Sequence, residues 1–250
     1  MKRNYWEKMA SNYQEEIFDV LQHDKKKWIA KAIKTYANSQ HQVIDIGCAV
    51  GKWLPLISPL FKKVIALDIS SNNLKIAQST YPNLKNVNYQ QGDMSNNRFR
   101  VAPAELGICI NALLTPHAKD RFAFFINLTR CIKPGGILIL TVPSLESYLF
   151  TRIIQQQFKI DTPQFAEKLT KDKAVRHWKN LKQGVVNIDE VPHKHFLQEE
   201  LKLNLVQHHF EPIQFKKIEY SWNTEFVNPP QWLKQPLPWD WMVMAKRSKP

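Results

Sequence analysis

Two glycines stand four residues apart in the segment VIDIGCAVGKW, directly after a run of apolar, β-favouring residues. Glycine has no Cβ, so the backbone can turn sharply at Gly47 and Gly51 and a ligand can approach it closely. A helix that begins near the second glycine would also direct free backbone N–H groups at that ligand, which favours a carboxylate or a phosphate. The spacing predicts a ligand-binding loop, with two simple turn glycines as the alternative.

Two common phosphate-binding loops do not fit this spacing. The dinucleotide-binding fingerprint needs a middle glycine where Ala49 stands and a third glycine that this segment lacks. The P-loop needs one more residue between its glycines and a hydroxyl side chain where Trp53 stands. The loop therefore belongs to neither class.

The elements that must position this loop follow from alternating apolar and amphipathic segments. Apolar runs typical of strands buried on both faces occupy residues 43–47, 63–67, 87–90, 107–111 and 136–142. Helical patterns occupy residues 52–60, 72–81 and 119–132. The second helix follows a serine N-cap at Ser70 or Ser71, and Lys133-Pro134-Gly135-Gly136 predicts a tight loop before the fifth strand. Repeated β-α-β units indicate a doubly wound α/β sheet.

The flanking segments divide a single predicted domain of residues 1–250. Residues 1–40 contain helical patterns and predict a cap over the sheet or its open end. After the core at 41–143, residues 144–196 indicate a helical insertion, which we expect to form a lid over the substrate. Residues 197–250 predict a helix followed by two paired strands.

The motifs of the chain together resemble those of the class I S-adenosylmethionine-dependent methyltransferases, in particular their small-molecule members. VIDIGCAVG resembles the first motif, D-x-G-x-G-x-G, with Ala49 at the middle glycine. VIALDIS and QGDMSN resemble the second and third motifs, and the opening WEKMASNY is similar to W-x-x-x-A-x-x-Y. The resemblance implies a Rossmann-like methyltransferase fold: a seven-stranded, mostly parallel sheet with N-terminal helices and a helical insertion after the fifth strand.

The resemblance also implies how S-adenosylmethionine would bind. Asp68 would accept the ribose hydroxyls, and it follows Asp45 by 23 residues, about the spacing at which a carboxylate reaches them. Asp93 would accept a hydrogen bond from the adenine amino group, with Ile69 and Met94 against the faces of the base. Other residues would contact the methionine end, orient the loop, border the acceptor or close over the site: Tyr13, Asp45, Gly47, Cys48, Ala49, Gly51 and Asn111. Taken singly, either Asp68 or Asp93 could instead be a turn or helix cap.

Three histidines are candidates for a general base. Methyl transfer from a sulfonium is an in-line displacement in which positioning supplies much of the catalysis, and a base is needed only if the acceptor loses a proton. His117 follows the predicted fourth strand, and His193 and His195 stand in VPHKHF, which is similar to an H-x-x-F segment bordering the substrate in small-molecule members. A surface or capping role is the alternative. No H-x-x-x-H or Cys/His cluster indicates a metal site.

The charge favours anionic partners. The net charge is +13, with 35 Lys and Arg against 22 Asp and Glu. The basic stretch KLTKDKAVRHWKNLK predicts an amphipathic helix suited to an acidic small substrate, an RNA or a membrane surface, with a solvated helix face as the alternative. We expect a small-molecule acceptor of anionic or amphipathic character.

Two rival hypotheses stand beside this one: a methyltransferase acting on RNA or protein, and a non-catalytic cofactor-binding protein. RNA is less favoured because NALL stands where an N-P-P-[YF] motif would follow the fourth strand.

The composition indicates a soluble, cytoplasmic protein. No apolar run approaches the roughly 18 residues that span a bilayer, and the N-terminus does not resemble a secretory signal. The three cysteines are far apart in the sequence and not in C-x-x-C spacing, which is typical of reduced thiols. The sequence leaves the oligomeric state and the acceptor atom open.

Overall fold

The computed structural model describes residues 3–9, 20–161, 170–188 and 191–249. Its strands are β1 Asn38–Ile46, β2 Phe61–Asp68, β3 Val87–Gln91, β4 Ala104–Ile110, β5 Ile132–Pro143, β6 Val185–Ile188, β7 Val191–Lys194, β8 Phe210–Glu219 and β9 Trp239–Arg247. Its α-helices are α1 Arg3–Met9, α2 Val20–His23, α3 Trp28–Thr35, α4 Leu54–Ile57, α5 Ser71–Thr80, α6 Ala118–Cys131, α7 Leu145–Gln157, α8 Lys171–Leu181 and α9 Gln198–Gln207. Within the same ranges, 3-10 turns occupy Ser58–Leu60 and Trp222–Thr224.

Seven strands form one sheet, in the order β3-β2-β1-β4-β5-β9-β8. The first five strands are parallel, and β9 runs antiparallel to both β5 and β8. The order reverses between β1 and β4, and this reversal opens a crevice beyond the carboxyl ends of the strands. The doubly wound, mostly parallel, seven-stranded sheet expected from the sequence is confirmed.

Alternating side chains of the strands fill two hydrophobic layers, one on each face of the sheet. Ile44 and Ile46 of β1 pack into one layer together with α6 and α9, while Val43 packs into the other with α3, α4 and α5. Successive residues of a strand point to opposite faces, so both faces of the central strands are apolar. This explains why those strands appear in the sequence as nearly continuous apolar runs.

Two local predictions have different outcomes. Ser70 is the N-cap of α5, and its hydroxyl accepts a hydrogen bond from the N–H of Asn73 at 3.2 Å, as the sequence predicts. The segment 133–136 does not form a separate loop, because β5 begins directly after α6. It is instead a bulge, where β5 advances five residues while β4 advances two, and Gly135 adopts a φ of 81°.

The insertion contains the helices α7 and α8 and also a hairpin, β6–β7, that the sequence did not indicate. Its strands have four residues each, too short for an alternating pattern to be recognised, and Pro192 weakens the strand signal. The N–H of Lys194, at the end of β7, donates to the carbonyl of Leu114 at 2.9 Å. The hairpin therefore contacts the loop that follows β4.

Candidate active site

A cavity lies at the carboxyl edge of the sheet, beside the point where the strand order reverses. The two-glycine loop and the segments that follow β2, β3 and β4 form its walls, with α1 and α6 contributing from outside the sheet. The polar side chains that line it are Asp68, Asn73, Asp93, Ser95, Asn111 and Thr115. Ligands of doubly wound sheets bind at this position, so the cavity is the candidate active site.

Every second residue of the two-glycine loop has a left-handed backbone conformation. Gly47, Ala49 and Gly51 have φ values of 74°, 48° and 79°. A Cβ on Gly47 would lie 2.4 Å from the Cβ of Ala112, so a side chain there would clash with the loop after β4. Ala49 thus adopts a conformation that favours glycine, at the position where the resemblance expects the middle glycine.

Asp68, at the end of β2, holds this loop in place. Its Oδ2 accepts from the N–H of Ala49 at 2.9 Å, and its Oδ1 accepts from the N–H of Ser70 at 2.8 Å. Burial raises the pKa of Asp68, and these hydrogen bonds oppose that rise. The carboxylate connects the loop to the start of α5 and also faces the cavity.

Asn73 is a cavity residue that the sequence reasoning missed. Its Nδ2 donates to Asp68 at 3.3 Å, and its Oδ1 is buried without a hydrogen-bond partner. Its position in the first turn of the helix after β2, beside the expected ribose carboxylate, is the signal that could have indicated it.

The segment after β3 is positioned from outside the sheet. Asp93 accepts from both the N–H and the hydroxyl of Ser95, at 2.8 and 2.7 Å. Asn127 of α6 is fully buried, and its Nδ2 donates to the carbonyl of Met94 at 2.9 Å. Met94 is itself buried and lines the cavity. A buried amide on a distant helix therefore fixes the segment expected to contact the adenine.

Asn111 follows β4 in a left-handed conformation, with a φ of 48°. Its Nδ2 donates to Oδ2 of Asp240 at 2.8 Å, and its Oδ1 is buried without a partner. Burial raises the pKa of Asp240, while hydrogen bonds from Tyr220, Asn111 and the N–H of Ser144 oppose the rise. Since a carboxylate only accepts hydrogen bonds, Asp240 fixes the Asn111 amide with its N–H₂ turned toward β9.

Thr115 and two apolar residues complete this end of the cavity. The Oγ1 atom of Thr115 is buried and has no hydrogen-bond partner. Leu114 and Phe124 line the same end and are almost completely buried. The end beyond β4 is thus an apolar space with two unpaired polar atoms, Asn111 Oδ1 and Thr115 Oγ1.

The helix α1 borders the cavity from the N-terminal side. Trp6 lines the cavity, and the carboxylate of Glu7 accepts from the N–H groups of Ser71 and Asn72, each at 3.0 Å. Burial alone would raise the pKa of Glu7, but these backbone bonds and the hydroxyl of Ser70 lower it to about 2. An anionic side chain at the N-terminus of α5 is favourably placed relative to the helix dipole.

The residues expected at the cofactor fall into three groups. Those that line the cavity are Gly47, Ala49, Asp68, Ile69, Asp93, Met94 and Asn111. Asp45, Cys48 and Gly51 are buried beneath or beside the loop and do not line the cavity. Tyr13 lies outside the described residues. The segments indicated by the sequence therefore border the cavity, while the contact of each residue with the cofactor stays a prediction.

The side chain of Asp45 is buried away from water. Its side chain is 2% exposed, and its Oδ2 has no hydrogen-bond partner. Burial raises the pKa of Asp45 to about 7, and the nearby charge of Asp68 adds to the effect. Burial of Asp45 therefore favours its neutral, protonated form.

None of the three candidate histidines is among the described residues that line the cavity. His117 is exposed at the start of α6, and His193 is half-buried with its Nδ1 2.8 Å from the carbonyl of Val191. Burial lowers the pKa of His195 to about 4. His195 packs against the ring of Tyr148. Within the described part of the chain, no group of His, Cys, Asp and Glu side chains could hold a metal ion.

A model of the methyltransferase domain family matches residues 43–136, which include the two-glycine loop, Asp68, Asp93 and Asn111. The chain is 24% identical over 197 residues to the demethylmenaquinone methyltransferase of Staphylococcus carnosus, covering 74% of this chain and 77% of the relative. It is 27% identical over 165 residues to the ubiquinone biosynthesis O-methyltransferase of Rickettsia typhi, covering 62% of this chain and 63% of the relative.

A solved structure shows the same fold at lower sequence identity. The N-methyltransferase NodS of Bradyrhizobium japonicum, in complex with S-adenosylhomocysteine, aligns with a TM-score of 0.62 and 10% identity. The alignment covers 99% of this chain and 98% of the other. The order of the sheet strands, the two-glycine loop and the match to the methyltransferase domain family agree with one another. Together they define a doubly wound methyltransferase. The domain match over residues 43–136 and the order of the sheet strands are those of a class I S-adenosylmethionine-dependent methyltransferase.

Proposed function

We propose that the enzyme binds S-adenosylmethionine along the cavity between Asp68 and Asn111 and methylates a small, uncharged acceptor beside Asn111 and Thr115. The observation that carries this proposal is the pair of buried, unpaired oxygens at that end, Asn111 Oδ1 and Thr115 Oγ1. Buried polar atoms in folded proteins are almost always paired, so two unpaired ones at the same end of a cavity indicate the position of a bound polar group.

The other end of the cavity fits the nucleoside part of the cofactor. Asp68 and Asn73 present acceptor oxygens suited to ribose hydroxyls, and Asp93 presents one suited to an amino group. Ile69 and Met94 offer apolar surface for a base. When bound, the cofactor supplies an electrophilic methyl group on a sulfonium sulfur. The chain's own residues bind, orient and exclude water, which is the main demand of an in-line displacement.

The electrostatics of the cavity favour an uncharged acceptor over an anionic one. The ionisable side chains among the described lining residues are Asp68 and Asp93, both acidic. A carboxylate or phosphate acceptor would meet like charges there, which disfavours its binding. Of the two acceptor types expected from the sequence, the amphipathic type fits this cavity.

The acceptor we propose is a hydroxylated aromatic ring of the quinol type. Two relatives carry menaquinone and ubiquinone in their names, and both terms denote quinones, whose reduced forms are such rings. A ring hydroxyl would donate to Asn111 Oδ1 or Thr115 Oγ1 while Leu114 and Phe124 contact the ring. Asp240 accepts from Asn111 Nδ2 at 2.8 Å, which leaves Asn111 Oδ1 to accept from the acceptor.

The experiment measures release of S-adenosylhomocysteine with short-chain hydroquinones and, as an anionic comparison, trans-aconitate. Thr115→Val keeps the shape of the side chain and removes its hydroxyl, so kcat/KM for the hydroquinone should fall roughly three- to tenfold. Thr151→Val is the matched control, because Thr151 Oγ1 is also buried and unpaired but lies on α7, outside the cavity lining. Turnover of the anionic acceptor alone, or equal effects of the two variants, would contradict the proposal.

The cytoplasm is the compartment we propose. Cys48, Cys109 and Cys131 are buried free thiols, which suits a reducing environment. Among the described residues, no helix has the length and apolar character needed to cross a bilayer. We further propose that residues 1–40 cap the core at 41–143, that 144–196 form the lid, and that 197–250 complete the sheet as parts of one domain.

A further inference from the structure

The helix α8 lies on the surface of the protein and contributes nothing to its core. No residue of α8 is buried. Trp178 is 59% exposed and Val175 is 46% exposed, although both are large apolar side chains. None of the described residues that line the cavity belongs to this helix. Neither packing nor the cofactor site explains an exposed tryptophan at this position.

The residues of α8 are divided between an apolar face and a basic one. Ala174, Val175, Trp178 and Leu181 follow the spacing i, i+1, i+4, i+7, which places them on one side of a helix. Lys173, Arg176 and Lys179 lie at the margins and on the other side, while Lys171 and Lys182 flank the apolar face at its two ends. Asp172 is the single acidic residue between positions 171 and 182. The helix is therefore strongly basic as well as amphipathic.

We propose that α8 binds the surface of a membrane rich in anionic phospholipids. A basic amphipathic helix can lie in the headgroup region with its apolar side toward the acyl chains and its cations among the phosphates. An RNA partner would use the cations and could stack on Trp178, but it would leave Val175 and Leu181 in water. The continuous apolar face therefore favours the lipid surface.

The position of α8 in the chain connects this surface to the cavity. The helix ends at Leu181, and the β6–β7 hairpin begins at Val185. The last residue of that hairpin, Lys194, donates its N–H to Leu114, which lines the cavity. A membrane bound at α8 would thus be linked through one short hairpin to the proposed acceptor end. The membrane proposal does not depend on which acceptor is methylated.

The test is sedimentation of the full chain with vesicles of phosphatidylcholine, alone or mixed with phosphatidylglycerol in equal parts. We expect binding to the mixed vesicles and little to phosphatidylcholine alone. Trp178→Ser and Arg176→Glu should each lower the partition coefficient roughly fivefold or more. The matched controls are Leu203→Ser and Lys202→Glu on α9, since Leu203 is 65% exposed and Lys202 is also exposed. These controls should bind like the unaltered protein.

Two results would overturn the proposal. One is absence of binding to the anionic vesicles, or binding that the α8 variants and the α9 controls change equally. The other is tight binding to single-stranded RNA that Trp178→Ser and Arg176→Glu abolish while vesicle binding is absent. Titration with S-adenosylhomocysteine, measured in parallel, separates a failure of this proposal from a failure of the proposed methyl transfer.

Discussion

At the residue scale, the carboxylate of Asp68 both holds the two-glycine loop and faces the cavity. It accepts from the N–H of Ala49 and the N–H of Ser70, and it faces the cavity where the ribose is expected. Each carboxylate oxygen can accept more than one hydrogen bond, so holding the loop leaves capacity for a ligand. The sequence predicted contact with the ribose and a turn or helix cap as alternatives for Asp68, and the structure places the carboxylate where it can serve both.

Asp68→Asn should weaken binding of S-adenosylhomocysteine at least about tenfold, because charge-assisted hydrogen bonds to the carboxylate are lost. It should also lower the unfolding temperature, since an amide has a single acceptor oxygen and cannot accept from the N–H groups of both Ala49 and Ser70 as the two carboxylate oxygens do. Calorimetric titration and thermal unfolding measure the two effects. Asp24→Asn is the matched control: Asp24 is a buried carboxylate that accepts from the N–H of Ile29 away from the cavity. It should lower stability only, and an unchanged affinity in folded Asp68→Asn would contradict the ribose assignment.

At the scale of elements, α1 is attached to the core by capping another helix. Glu7 accepts from the first N–H groups of α5 and from the hydroxyl of Ser70, and the adjacent Trp6 lines the cavity. Ser70 in turn donates its N–H to Asp68. A chain of hydrogen bonds thus connects α1 to the carboxylate expected at the ribose. The resemblance to the W-x-x-x-A-x-x-Y opening predicts that this region covers the cofactor. It does not predict that Glu7 attaches α1 to α5.

Glu7→Gln should weaken binding of S-adenosylhomocysteine roughly two- to tenfold, because the loss of a charge at a helix N-terminus loosens α1 and with it Trp6. Glu219→Gln is the matched control, since Glu219 pairs with Lys26 and also attaches the N-terminal segment to the sheet, away from the cavity. The control should bind normally. Equal affinity of both variants would show that α1 does not support the site.

The contribution of Glu7 to stability depends on pH. The pKa of Glu7 is lowered to about 2, so its stabilising contribution is present above its ordinary pKa and is lost as the pH falls toward 2.

At the scale of the whole molecule, Asp45 makes folding depend on pH. Its pKa is raised to about 7 in the folded protein by burial. Between its ordinary pKa and 7, the folded state holds a proton that the unfolded state has released, so this contribution to stability is lost as the pH rises. His195 acts in the opposite sense, because burial lowers its pKa to about 4 and the unfolded state is then the more protonated one.

Asp45→Asn separates the two contributions. The free energy of unfolding of the variant minus that of the unaltered protein should rise by about 1.4 kcal/mol per pH unit between about pH 4 and pH 7, then level off. Urea unfolding across this range measures the difference. Asp172→Asn, which alters an exposed carboxylate on α8, is the control. A flat difference for Asp45→Asn would mean that the carboxyl group is ionised throughout the range.

Sequence reasoning recovered most of the sheet because apolar periodicity and motif spacing are local. The five parallel strands, the serine cap of α5 and the loop around Ala49 each depend on neighbours within a few residues. It missed the β6–β7 hairpin because two four-residue strands carry too little pattern. It included the three histidines as candidate bases because residue type alone does not reveal whether a side chain faces a cavity.

The sequence by itself determined the class of fold, the edge of the sheet where ligands bind and the acidic residues that follow the strands there. These features follow from hydrogen bonding and burial within single elements, which the order of residues encodes directly. Only the tertiary structure decided that Asp240 of β9 orients Asn111, that Asn127 of α6 holds Met94, and that Glu7 caps α5. Each of these contacts joins elements that are far apart in the chain, and their meeting depends on how all the layers pack together.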